Sequence, residues 1–578
     1  MMERKELKKL IDVAAGRVSA DLVIKGCKVV DVYNGGIVEG DIAIVDGLIA
    51  GIGKYDGKTE VDAKGKYATP GFIDSHIHIE SSYVSPEELG RLLVPHGTTT
   101  IIADPHEIAN VCGWKGIHYM LQAAQKTALD IKVMLPSCVP ATPFEHAGAT
   151  IDAEAMEKPM REGKLYGLGE FMNFPGVVLG HDDVLDKLLV AKKEGKIIDG
   201  HSPGLKGREL NAYAVAGIKT DHECATAQDL QDRVSRGLYV MLRQGSACHD
   251  LKNLIKGVTP YNSKRCLLCA DDMQPKTILS VGHLDNSLKM CVEEGMDPLL
   301  AIQMATLNAA ECYGLKDRGA IAPGLKADIV LVDDLQNFHV NQVFIDGKEV
   351  AKDGQYQLPI AFHDISDTKG SFHVKDFSKD KLRLIVQSDK AHAIGILPGG
   401  VVTKKEVVSI KRDENQAFVY EKDKDVVKVA VVERHQNTGN VAVALLRGYG
   451  IKAGAIALSI AHDSHNIIAV GVNDEDMAFA VEELIKQEGG ILLVKDGEVL
   501  ERMPMPIGGL MSDQSGEWVD EKLKNIHKIA HEVLQVNTTL EPIMTLCFMS
   551  LAVIPELKLT DMGLFDVTQF KFISIEAN

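Results

Sequence analysis

Gly71-Phe72-Ile73-Asp74-Ser75-His76-Ile77-His78 is a run of strand-forming residues that ends on two histidines. Side chains two apart on a strand share a face, so His76 and His78 project together from its end. Two imidazoles side by side form a metal-binding pair, although a lone HxH is equally compatible with two packed polar residues. The surrounding sequence separates these readings. From about Tyr67 to Tyr313, eight short β-rich runs alternate with helix-like stretches: ATPGFIDSH, TTTIIAD, IKVMLPS, LYGLGE, IIDGH, IKTDH, YVMLRQG and RCLLCAD. Eight such units in about 250 residues have the size and period of an α/β fold of the (β/α)8 TIM barrel type. The helix-like stretch DPLLAIQMATLNAAECYG closes the series.

Outside that region the rhythm changes. Residues 1–17 carry the pattern of a short amphipathic helix. From Ala20 to Ala68 short β segments follow, with Asp46-Gly47 between two of them; a type I′ hairpin turn needs positive φ at both centres. Beyond the barrel, GAIAPGLKADIVLVDDL and VNQVFIDGKEV return to short β runs. The expected organisation is a discontinuous small β domain (1–68 and 319–363), a metallo-hydrolase barrel (69–318) and an additional C-terminal α/β domain (364–578). In the last, Phe372–Gly395 and ELIKQEGGILLVKDGEVL mix strand and helix signals, and no solenoid repeat is visible.

Composition sets outer bounds. A chain of 578 residues is too long for one ordinary domain. Its 45% apolar and 25% charged residues are the balance of a globular protein with a core. A formal net charge of -18 repels phosphate backbones and anionic lipid, so nucleic-acid and membrane partners are not expected. The ten cysteines are scattered, several within apolar runs, which suits packing in a reducing compartment. The charged N-terminus has no apolar signal region, and the longest apolar run, near Leu546–Ile554, is too short to span a bilayer and ends at Pro555. A cytoplasmic homo-oligomer is expected.

Four later β runs end on further donors: Glu170, His201, His222 and Asp271. Barrel active sites collect at the C-terminal ends of strands. Four imidazoles, a bridging-type carboxylate and a terminal aspartate suffice for two metals about 3.5–4 Å apart.

These features resemble the amidohydrolase superfamily. More narrowly, PGFIDSHIHIESS, ADPHEIANVCG, SCVPATPFE, GEFMNFPGV, DGHSPGL, ELNAYAVAGIKTDHE, LCADD, AHDSHNI, IGGLMS and IPELKLTDMGLFD resemble the adenine deaminase family. The resemblance implies that His76, His78 and Asp271 hold one metal, that His201 and His222 hold a second, and that Glu170 bridges them where other members use a carbamylated lysine. The N and O ligands suit Zn2+, Mn2+ or Fe2+; the family implies manganese, with iron also used. The implied reaction is hydrolytic deamination of adenine to hypoxanthine and ammonia, serving purine salvage. Water between two cations is acidified and becomes hydroxide, and Asp271 accepts its proton during attack on C6. A poor amine leaving group and an electron-rich purine demand a proton donor near N1. Asp104, His106 and Glu107 end the second run on the same rim. Glu107 is the proposed donor and Asp104 an orienting group or extra ligand; the plainer reading is an Asp that caps the following helix.

Weaker signals remain. Cys266 and Cys269 resemble a zinc or redox pair, but i and i+3 on a strand face opposite ways, which favours packing. His78-Ile79-Glu80 matches the HxE of zinc nucleobase deaminases, yet no PCxxC accompanies it, and that fold is rejected. His462, Asp463 and His465 bind metal, cover the barrel mouth or form a polar loop. Asn173 and Pro175-Gly176 are candidate pocket-shaping residues, and Ile507–Met511 reads as a turn. Two other functions are open: hydrolysis of another aminopurine or a cyclic amide, and a non-catalytic barrel scaffold.

Overall fold

Eight parallel strands close into a ring. The computed structural model describes residues 3–397, 399 and 401–577. The ring strands are β1 (Phe72–His78), β2 (Thr98–Ala103), β3 (Asp130–Val133), β4 (Leu168–Phe171), β5 (Ile198–Gly200), β6 (Thr220–Asp221), β7 (Tyr239–Arg243) and β8 (Cys266–Cys269), which resumes after Ala270 as Asp271–Asp272. Parallel ladders join β1 to β2 and β2 to β3. A bridge between Leu135 and Leu168 continues to β4, which pairs with β5. The Lys219 amide donates to the Ile198 carbonyl at 2.9 Å, joining β5 to β6. Ladders from β6 to β7 and β7 to β8 follow, and Asp271 opposite Ile77 closes the circle on β1. The strands are buried on both faces, as parallel barrel strands must be. Cys266 and Cys269 pack into two different apolar clusters, so neither thiol faces the other.

A nine-stranded sheet takes strands from both sides of the barrel. Its central seam pairs Tyr67–Pro70 with Ile329–Val332 antiparallel, so the barrel leaves and re-enters the same layer. The hairpin turn lies at Asp46 and Gly47, with φ of 51° and 78°; glycine supplies the second positive φ without strain. The helix Arg4–Ala14 covers one end.

Residues 390–504 form an eight-stranded sheet that is antiparallel throughout except for the pairing of Ala393 with Leu445. The helix Asp474–Lys486 packs on it through Met477, Ala480, Val481 and Leu484. The segment that follows this layer docks on the chain after β1: the Ser512 amide donates to the Tyr83 carbonyl at 2.8 Å, and the Gly516 amide to the Glu88 carboxylate at 2.7 Å. Among the described residues no helix is long and apolar enough to cross a membrane.

Candidate metal centre

The strand ends are held before any ion is considered. Asp74, on the same face of β1 as His76 and His78, accepts hydrogen bonds from the His76 and Ala270 amides, tying β1 to the break in β8. That break places Asp271 at φ 63°, a left-handed backbone that a non-glycine residue adopts at a cost. Tyr213 ties β4 to β5: its hydroxyl donates to the Phe171 carbonyl and accepts from the His201 amide. Arg233, fully buried, pairs with Asp221 at 2.9 Å and donates to the Ser202 carbonyl at 2.6 Å. Asp221 precedes His222 and Ser202 follows His201, so one guanidinium fixes both loops.

The six donors read from the sequence converge. His76 Nε2 and His78 Nε2 are 3.1 Å apart, and Asp271 Oδ1 lies 3.6 Å from the first and 3.1 Å from the second. Glu170 Oε1 is 3.3 Å from His78 Nε2, while Glu170 Oε2 is 2.9 Å from His201 Nδ1 and 3.2 Å from His222 Nε2. His201 Nδ1 and His222 Nε2 are separated by 3.4 Å. The two oxygens of one carboxylate thus face two separate pairs of imidazoles. Donor atoms bound to one ion at about 2.1 Å sit roughly 3–3.5 Å apart, close to the 2.9–3.6 Å found here. The donors also form three-residue groups suited to a metal: His76, His78 and Glu170; His76, His222 and Asp271; Glu170, His201 and His222.

Burial disfavours charge on the imidazoles, but Asp271 and Glu170 raise the pKa of His78, Glu223 and Glu170 raise that of His201, and Glu170 lifts that of His222 to about 9. Burial and the stacked His222 ring push the His76 imidazole down to about 4, keeping it a neutral donor. Burial works to raise the Glu170 carboxyl, but His201, His222 and His78 outweigh it and hold it well below the usual range. The same balance, with His76, His78 and Arg243 opposing burial, keeps Asp271 ionised. His76 Nδ1 is buried without a hydrogen-bond partner.

The second rim segment joins the ring. Asp104 Oδ2 accepts the Glu170 amide at 2.7 Å, so Asp104 does not cap the following helix; the residue at the cap is Pro105. His106 Nδ1 lies 3.3 Å from Glu170 Oε1. Glu107 turns the other way, toward the turn at 462–465: His462 Nδ1 is 3.0 Å and His465 Nε2 3.9 Å from its carboxylate. That turn is clamped from behind, with Arg434 donating to the His465 carbonyl and His435 bonding the Ser464 carbonyl at 2.6 Å. Asn173 instead caps the helix Phe174–Leu179 through the Gly176 amide, and Met172 is the pocket residue of that loop. Gly508 and Gly509 form a turn whose carbonyls meet Arg434 and Ser459.

A cavity of about 320 Å³ opens above the donors. Its polar wall includes Glu223, Arg243 and Asp272, none of which the sequence reading named. Arg243 Nη1 meets Asp271 Oδ2 at 2.7 Å and Glu223 Oε1 at 2.6 Å. Arg243 ends strand β7, within the seventh run, near the position at which other runs supplied ligands, so the same rule applied to cations would have found it. The roof is apolar and comes from the C-terminal region: Val401, Phe548, Leu551, Val553 and Ile554.

Residues 67–350 match the amidohydrolase family, and residues 400–571 match the adenine deaminase C-terminal domain. Adenine deaminase 2 of Desulfotalea psychrophila is 70% identical over 576 residues, covering 100% of both chains. The adenine deaminase of Ligilactobacillus salivarius is 53% identical and adenine deaminase 2 of Latilactobacillus sakei 50% identical, each again over 100% of both chains. The chain belongs to the adenine deaminase family. In this adenine deaminase family member, the segment that matches the C-terminal domain supplies both the 462–465 turn and most of the cavity roof.

Proposed function

We propose that this chain hydrolyses adenine to hypoxanthine and ammonia. The observation that carries the reading is the division of Glu170 between two imidazole pairs on the floor of the cavity, in a chain of this family. His76, His78 and Asp271 would hold one divalent cation, His201 and His222 the other, with Glu170 between them. Their all-N/O donor set suits Mn2+, our first assignment, and also Fe2+ or Zn2+. When bound, such a pair supplies a water acidified toward neutral pH.

The chain's own residues then do the following. Asp271, oriented by Arg243, accepts a proton from the attacking water and passes it to the C6 amine, which leaves as ammonia when the C6–N bond breaks. Glu107 and His462, 3.0 Å apart on the cavity wall, share one proton and deliver it to the ring near N1. Asp104 fixes the Glu170 backbone. Phe548, Leu551 and Ile554 cover the planar base and exclude bulk water. The setting we assign is purine salvage in the cytoplasm, by a homo-oligomer. The test is ammonia release by purified, metal-loaded protein from adenine, adenosine, cytosine and dihydrouracil. Release from adenine is expected to exceed the others; silence with adenine and turnover of dihydrouracil would move the chain to the cyclic amidases.

A further inference from the structure

We infer that His106 is an additional ligand of the metal centre and that Asp463, from the C-terminal sheet layer, orients it across the domain interface. The inference rests on the binuclear reading above. His106 is the first residue of the helix His106–Cys112, at the end of β2, and is buried. Its Nδ1 points at Glu170 Oε1 from 3.3 Å, the same separation as between His78 Nε2 and that oxygen. The two rings meet edge to face, with centroids 4.7 Å apart. His106 Nδ1 has no hydrogen-bond partner, and neither has Asp104 Oδ1, 3.9 Å away. A buried imidazole nitrogen and a buried carboxylate oxygen both left unpaired beside Glu170 are costly unless something binds them.

The far side of the ring completes the pattern. A ligating histidine usually donates its other N–H to a carboxylate or carbonyl, which fixes ring orientation and raises basicity. His78 shows this arrangement: Nε2 faces the donors while Nδ1 meets the Asp104 carbonyl at 2.9 Å. His106 mirrors it, with Nδ1 inward and Nε2 facing Asp463 Oδ1 at 3.7 Å; Asp463 Oδ2 has no partner of its own. Asp463 is not free to swing away. The turn that carries it is held by Arg434 and His435 and runs through His465 at φ 56°. The C-terminal layer therefore reaches past the roof and supports the metal centre itself.

Mn2+ affinities of the chelator-stripped full-length protein, measured by competition with a metallochromic chelator, test this. His106→Ala is expected to weaken one of the two Mn2+ sites by about 100-fold, and Asp463→Asn by about 10–100-fold. Because Asp463 acts through His106, the double variant is expected to be no weaker than His106→Ala alone. His106→Gln serves if the alanine variant does not fold, and circular dichroism checks each protein. Unchanged affinities for both ions, or effects that add in the double variant, would overturn the inference while leaving the binuclear reading intact. Wild-type protein that takes up no Mn2+, Fe2+ or Zn2+ would overturn both.

Discussion

Two kinds of buried charge sit one residue apart at the ends of β5 and β6. Asp221 and Arg233 are both fully buried, and the guanidinium bonds Asp221 and the Ser202 carbonyl. Next to Ser202 and Asp221 in the chain, His201 and His222 face Glu170 and each other at 2.9–3.4 Å. The first group is neutral as a pair, each charge met by its opposite at 2.9 Å, although Arg233 Nη1 has no hydrogen-bond partner among the described residues. The second gathers lone pairs toward a common point and leaves buried nitrogen without a partner nearby, at His76 Nδ1 and His106 Nδ1. Burial alone therefore does not mark a site; lone pairs from several strand ends that converge on one point do. The ion pair holds the loops so that the ring of donors keeps its shape.

That contrast can be broken by experiment. Chelator treatment should have the largest effect: a loss of deaminase activity beyond about a thousandfold, consistent with the several kcal/mol that metal ions contribute to such transition states. Activity should return with added Mn2+, and the thermal midpoint should fall in between. An apo protein equally active would mean that the ring is as self-sufficient as the Asp221–Arg233 pair. Glu170→Gln comes next and should lower metal content and activity together, since the negative charge is lost and one of the two oxygens becomes an NH2 that offers no lone pair to a cation; full metal with normal activity would end the bridging role. Asp271→Asn should keep metal better than activity, with kcat reduced by about 10²–10⁴ as expected for loss of a proton acceptor. Equal loss of metal and activity would make Asp271 a structural ligand only. Arg233→Leu tests the other half of the comparison. It leaves a buried carboxylate unpaired and should cost about 3–5 kcal/mol in urea unfolding, and a change below 1 kcal/mol would show that the pair is not what closes these loops.

The barrel was legible because its rules are local. Alternating β and helical runs, a hairpin at Asp46-Gly47 and donors at the ends of runs all lie within a few residues of the features they predict. The metal-type donors were found because each ends a strand, and a strand end has one destination in a barrel. The rest depends on contacts between distant segments. Phe548 and Leu551 read as an apolar run and are the roof of a cavity whose floor, from His78 to Asp271, lies far earlier in the chain. Arg243 was passed over because a cation at a strand end was not sought, although it meets Asp271 across the ring. His106 and Glu107 were read as one segment, yet they point to different neighbours: a helix that starts at His106 turns adjacent side chains about 100° apart. No spacing rule in the sequence joins His462 to Glu107 across the 355 positions that separate them.

His462 carries the smallest and most discriminating prediction. It meets Glu107 at 3.0 Å, with His465 behind and Ser81 Oγ donating to the same carboxylate at 3.3 Å. His462→Gln keeps a hydrogen-bond donor for that carboxylate but removes the ring nitrogen that carries a transferable proton. Ser81 and the substituted amide still donate to Glu107, so its position survives and only proton delivery suffers. The expected result is about a tenfold fall in kcat, less than the roughly 10²–10⁴ that a missing proton donor costs, because Glu107 itself and Asp272 remain on the cavity wall. KM, metal content and thermal midpoint should stay close to wild type. If metal is lost instead, the 462–465 turn belongs with the ring of donors as a ligand-bearing element. If nothing changes, it belongs with the Asp221–Arg233 pair, as a buried contact that holds shape and takes no part in the chemistry.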